Sequence, residues 1–112
     1  MRSKVKLPKR VKVAAFDFKI KRFSRNEGTE FNRFGHVNVV TKRIRIDPTC
    51  GRAQVLETLT HELLHAVYWA YGLEEGDKEE RIVAAMATGW TQVMRDNPHI
   101  VKFYTKSLKA IQ

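Results

Sequence analysis

Cysteine is almost missing from this 112-residue chain. Cys50 stands alone, which excludes an internal disulfide and a structural zinc site built on cysteines. Proline occurs three times and glycine six, too sparsely for a collagen-like or low-complexity segment, and no internal repeat is present. No apolar run approaches the roughly 20 residues that a bilayer-spanning helix requires. The basic start MRSKVKLPKR lacks the apolar core of a secretory signal behind it. These absences lead to the expectation of a cytoplasmic protein without membrane contact. What is present is 43% hydrophobic and 10% aromatic residues, enough for one folded domain with one core.

Acidic residues are scarce at one end only. The formal charge of +9 arises from 21 Lys and Arg against 12 Asp and Glu. Residues 1–22 carry nine basic groups (Arg2, Lys4, Lys6, Lys9, Arg10, Lys12, Lys19, Lys21 and Arg22) and a single acid, Asp17; the other 90 residues are nearly neutral. Such an excess fits either a solubilising arm, with residues 1–10 flexible, or a contact with nucleic acid through segment 1–22. Residues 1–10 have no interleaved aromatics, so base stacking gains no support there.

Alternation of Phe16, Phe18 and Ile20 with Asp17, Lys19 and Lys21 predicts a strand within residues 11–23. Val11 and Val13 lie on the opposite parity, which predicts a phase change near Ala14–Ala15 through a bulge. Residues 24–35 read as a polar loop. Two short strand signals follow, Val37/Val39 and Ile44/Ile46; Thr41-Lys42 is poor tight-turn chemistry, which leaves one irregular strand as the alternative. From Arg52 to Tyr71 the period turns helical, with Val55, Leu59, Leu63 and Ala66 on one face and Gly72 as the stop. A second helix is expected from about Lys78 to Arg95, broken by Asp96-Asn97-Pro98, and a third, amphipathic one to the C-terminus. Strands followed by helices, without βαβ alternation, define an α+β class.

The segment that carries chemistry is Thr60-His61-Glu62-Leu63-Leu64-His65. His61 and His65 are four apart on a helical stretch, so both rings leave one face and can grip one metal ion. Glu62 lies about 100° round from His61. That is too far to share the ligand row but close enough to act as a general base beside a metal-activated water. Apolar neighbours on nearly every side argue against two incidental surface histidines. A catalytic Zn²⁺ needs a third protein ligand. Tyr68 and Tyr71 stand where a metzincin would have Gly and His, which excludes that extension. The remaining candidates are Glu74, Glu75, Asp77, Glu79 and Glu80. If the second helix folds back along the first, Glu79 or Glu80 is favoured. Glu79 lies on the stripe Ile82, Val83, Met86, Trp90; Glu80 lies on a flank of small residues and also reads as the N3 member of a capping box begun by Asp77. Periodicity leaves both open.

The stretch from Thr58 to Pro98 resembles the zincin metallopeptidases of the gluzincin type, and within them the short phage-type zinc metallopeptidase-like domains. That resemblance implies a minimal zincin-like fold: a small antiparallel sheet, a metal-binding helix, a supporting helix and a C-terminal helix, all in one domain of residues 1–112. It implies a third ligand at the start of the second helix, followed at +3, +6 and +7 by apolar or small residues. Val83, Met86 and Ala87 satisfy this from Glu80 better than Ile82, Ala85 and Met86 do from Glu79. The implied site is therefore His61, His65 and Glu80 on Zn²⁺ with Glu62 as catalytic base. The implied substrate is a peptide or protein pairing with an edge strand from residues 37–47, in a host cell's cytoplasm if the chain is phage-encoded. No oxyanion-stabilising residue is recognisable; His36, Tyr68 and Tyr71 read as packing residues, as do Trp69, Trp90, Phe103 and Tyr104. The alternative function is a basic nucleic-acid-associated protein whose zinc helix is structural or vestigial.

Overall fold

In the computed structural model, residues 4–23 and 34–111 are described. The expected 24–35 loop lies outside them except for Phe34 and Gly35. Four strands form one mixed sheet in the order β1-β2-β4-β3, where β1 is Arg10–Val13, β2 Phe16–Arg22, β3 Gly35–Asn38 and β4 Arg43–Ile46. Three helices follow: α1 (Arg52–Ala70), α2 (Glu79–Asp96) and α3 (Pro98–Ile111). The α+β class is as the pattern implied. The sheet, however, is not wholly antiparallel: β4 inserts between β2 and β3 and runs parallel to β2, with Ile20 beside Ile44. Ile44 and Ile46 bury on both flanks only in that central position, and both are fully enclosed.

The parity change at Ala14–Ala15 is a reversal of the chain, not a bulge. β1 and β2 form an antiparallel hairpin with Val11 opposite Phe18 and Val13 opposite Phe16. Ala14 takes a left-handed φ of 54°, which costs an alanine roughly 1 kcal/mol. Its N–H donates to Gln92 Oε1 at 2.6 Å. β3 and β4 are likewise a hairpin: Asn38 Oδ1 accepts from the N–H groups of Val40 and Thr41 at 2.9 and 3.1 Å, and Lys42 takes φ 58°. One side-chain acceptor, Asn38 Oδ1, thus supplies the turn that Thr41-Lys42 lacks.

Segment 4–10 is not a loose arm. Val5 is buried and its N–H donates to Pro48 O at 3.0 Å, while Lys9 O accepts from Ile20 N–H at 2.9 Å. Across the sheet lies α1, whose Val55, Leu59, Leu63, Ala66 and Val67 are fully buried against Val11, Val13, Phe18, Ile44 and Ile46. α1 ends in a Schellman arrangement at Gly72 (φ 70°), with Leu73 N–H on Tyr68 O and Gly72 N–H on Trp69 O. α2 meets α1 at Gly89, where a Cβ would run into Val67 and the Tyr71 ring. The contact therefore falls in the C-terminal half of α2; Val83, Ala84 and Ala87 on its first half are exposed. No capping box forms at its start. Lys78 is the cap residue, and Asp77 instead accepts from Glu74 N–H and pairs with Arg81 at 3.2 Å.

The outer edge of β1 is closed by side chains. Asn97, 2% exposed between α2 and α3, accepts from Lys12 N–H and donates to Lys12 O, both at 2.8 Å, and also donates to Val93 O. Gln92 adds a donor to Lys12 O at 3.0 Å, and His99 Nε2 lies 2.6 Å from Arg10 O. An amide side chain thus replaces a missing strand. Asn97→Ala removes three of these bonds and should cost about 3 kcal/mol, read as a lowered urea midpoint at unchanged slope. A loss below about 1 kcal/mol would show that β1 does not depend on this contact.

Candidate metal centre on the first long helix

α1 buries one face because its apolar residues recur with helical period, and that burial decides where its polar residues point. His61 and His65 lie on the exposed side, whereas Glu62 turns inward and is 7% exposed. All three line one cleft of ≈ 240 Å³ together with Phe34, Gly35, Gln54, Glu57 and Thr58. The Nε2 atoms of His61 and His65 stand 3.1 Å apart, with ring planes inclined at 65°. Two nitrogens each 2.0–2.1 Å from one tetrahedral Zn²⁺ would be separated by about 3.3 Å. That spacing suits two ligands of a single ion, and in this structure it is a hydrogen bond between the two rings.

The third expected ligand is not brought to them. Glu80 is exposed in the first turn of α2, about 13 Å along the helix axis from the Gly89 crossing. Arg81 donates to Gly72 O at 3.1 Å, which holds that turn beside the end of α1, two turns beyond His65. Glu79, Glu74 and Glu75 are exposed there too. Among the described residues no three His, Cys, Asp or Glu side chains lie close enough to hold one metal ion. The helices cross where a glycine allows close approach, and the small residues near Glu80 do not mark that place.

Several cleft residues escaped the sequence reading. Glu57 shares the row of His61 and His65, four residues earlier, a spacing that was open to inspection. Gln54 donates to Thr58 Oγ1 at 3.1 Å along the cleft wall. Gly35, the first residue of edge strand β3, lines the cleft as well; a Cβ there would strike Thr58 Cγ2 at 2.6 Å and Arg45 O at 2.8 Å. On the other side of His61 lies an apolar groove of ≈ 460 Å³ between α1 and α3, formed by Leu56, Leu64, Tyr104 and Leu108 among others. The Tyr104 hydroxyl is bonded to Thr60 Oγ1, which itself donates to Leu56 O at 2.9 Å. Burial raises the Tyr104 phenol above its ordinary value near 10, and the Thr60 bond opposes this in part.

The other singled-out residues are structural. His36 packs on Phe23 at 5.5 Å, Tyr71 donates to Gln92 Oε1 at 3.0 Å, and Trp90 meets Tyr104 edge-on at 6.3 Å. Cys50 is half-buried with Sγ on Asp47 O at 3.1 Å. Among the described residues no helix is long and apolar enough to cross a membrane. No protein-family model, no curated protein and no solved structure matches this chain.

Two outcomes follow. Zinc at about a hundredfold over its Kd should add about 2.7 kcal/mol to the wild-type unfolding free energy. His61→Ala and His65→Ala should each abolish that gain, while Glu80→Ala should keep it; a gain retained in both histidine variants would refute the pair as ligands. For Tyr104, the folded-state pKa exceeds the unfolded one. The unfolded chain therefore loses the phenolic proton first, and stability is lost as pH rises from about 10. The urea midpoint of Tyr104→Phe should fall less steeply than that of the wild type between neutral and strongly alkaline pH; parallel declines would contradict this.

Proposed function

We propose that this chain is a zinc-dependent hydrolase of peptide bonds. The observation that carries the reading is the convergence of the His61 and His65 Nε2 atoms, 3.1 Å apart, in a cleft that also contains Glu62. His61 and His65 would hold the ion, and Glu80 stands away from the pair. When bound, zinc supplies a Lewis acid that makes water a competent nucleophile at neutral pH.

The chain's own residues do the rest. Glu62, fixed by the burial of its helix face, takes a proton from the attacking water and delivers it to the departing amine. An extended substrate backbone lies along edge strand β3, whose first residue forms the cleft wall. One neighbouring substrate side chain enters the apolar groove by Leu64 and Leu108, both partly exposed. This arrangement favours peptides with a large apolar residue beside the scissile bond.

The test is Glu62→Gln in zinc-loaded protein against a panel of peptides and unfolded proteins. The variant should retain zinc and lose at least about a hundredfold in turnover, the lower range for a general base. Equal turnover by wild type and variant would remove Glu62 from the chemistry. Cleavage by neither protein, with zinc bound to both, would reduce the site to a metal-binding one.

A further inference from the structure

The sheet has two faces, and among the described residues the helices cover one of them. Val11, Val13, Phe18, Ile20, Ile44 and Ile46 point toward α1, so the alternate residues of the same strands point the other way. Their register arranges the charges in rows. Arg10 pairs with Lys19 and Lys19 with Arg43; Lys21 pairs with Arg45; Lys12 pairs with Asp17. Six cations thus share this face with one acid. Adjacent strands place neighbouring cations about 5 Å apart, and two steps along a strand separate them by about 6.7 Å. Arg10, Lys12, Lys19, Lys21 and Arg43 are exposed. Asp96, close enough to Lys12 to feel its charge, is engaged by Arg95 and Gln92. Arg43 and Arg45 come from the part of the sequence that is nearly neutral overall; pairing of β4 with β2 adds them to the basic N-terminal segment.

The geometry points to this face as a docking surface for the phosphate backbone of double-stranded DNA. A closely spaced grid of like charges has self-repulsion that a polyanion relieves, and counterion release from the nucleic acid drives the association. The exposed rows on β1, β2 and β4 carry no aromatic side chain, and the ring pair of Phe23 and His36 at the β3 margin is largely enclosed, so the exposed rows offer no platform for the bases of a single strand. Phe16 and Trp69, stacked at 4.8 Å, belong to the opposite side, with the Lys42 ammonium 4.7 Å from the Trp69 ring. The densest charge lies on the two central strands, β2 and β4. β1 and β3 flank these strands, so the face lies across the phosphates of both backbones and does not enter the roughly 12 Å major groove of B-form DNA.

The test is fluorescence anisotropy of a labelled DNA duplex with the full chain, from about 50 to 200 mM potassium chloride. The triple variant Lys19→Gln, Lys21→Gln and Arg43→Gln should bind at least about tenfold more weakly at the lowest salt. Its slope of log K against log salt should be shallower by about 2.7, at roughly 0.9 per lost phosphate contact. Lys102→Gln, Lys106→Gln and Lys109→Gln, which remove the same charge from α3, should leave the slope near that of the wild type. Equal losses in both triples would reduce the effect to net charge and overturn the surface. Tighter binding of duplex RNA, single-stranded DNA or phosphatidylserine vesicles than of duplex DNA would overturn the partner. Circular dichroism verifies folding, and Lys21→Glu alone, also expected to weaken binding, serves if the triple variant unfolds. No hydrolysis is read, so the result is independent of the zinc site.

Discussion

Burial of one face of α1 against the sheet is the constraint on which the rest of this molecule depends. Five fully enclosed side chains, from Val55 to Val67, meet the inward residues of β1, β2 and β4. Each contributes roughly 1.5–3 kcal/mol for the larger aliphatics, so rotating the helix by even half a turn would forfeit most of the core. Once that face is fixed, His61 and His65 must point outward and Glu62 must lie at the buried margin. The local chemistry of the cleft is a consequence of packing that involves none of its polar atoms.

The two sheet edges are treated differently, and that asymmetry shapes the surface. On β1 the free backbone groups are taken by Asn97, Gln92 and His99, which tie the α2–α3 junction to the N-terminal hairpin. On the other edge β3 closes against α1 at Gly35 and borders the cleft of His61, Glu62 and His65. A covered edge stabilises the fold, whereas an edge beside an open cleft can receive an extended chain. The same sheet presents its cations on the face away from α1. Hydrolysis and polyanion binding, if both occur, therefore use separate surfaces and do not compete for side chains.

Much of the fold was legible because its signals are local. The period of Val55, Leu59 and Leu63, the stop at Gly72 and the break at Asn97-Pro98 depend on residues a few positions apart. The Ala14–Ala15 hairpin was misread because alanine is no turn former; Gln92, 78 residues away, stabilises the turn. The parallel pairing of β2 with β4 was equally hidden, since pleat alternation is the same in either direction. Glu80 illustrates the limit most clearly. Its spacing from apolar neighbours is a property of one helix, but its distance from His65 depends on where two helices cross, and Gly89 sets that point.

From the sequence alone came the α+β class, the three helices and the juxtaposition of His61, Glu62 and His65, because four residues of helix bring side chains together without tertiary help. The charge excess was also visible there, though only as a property of one end of the chain. Tertiary structure decided that segment 4–10 lies against the body, that Arg43 joins the N-terminal cations on one face, and that the acids of α2 stand away from the histidine pair. Those outcomes depend on strand register and helix crossing, which are set by the packing of residues far apart in the chain.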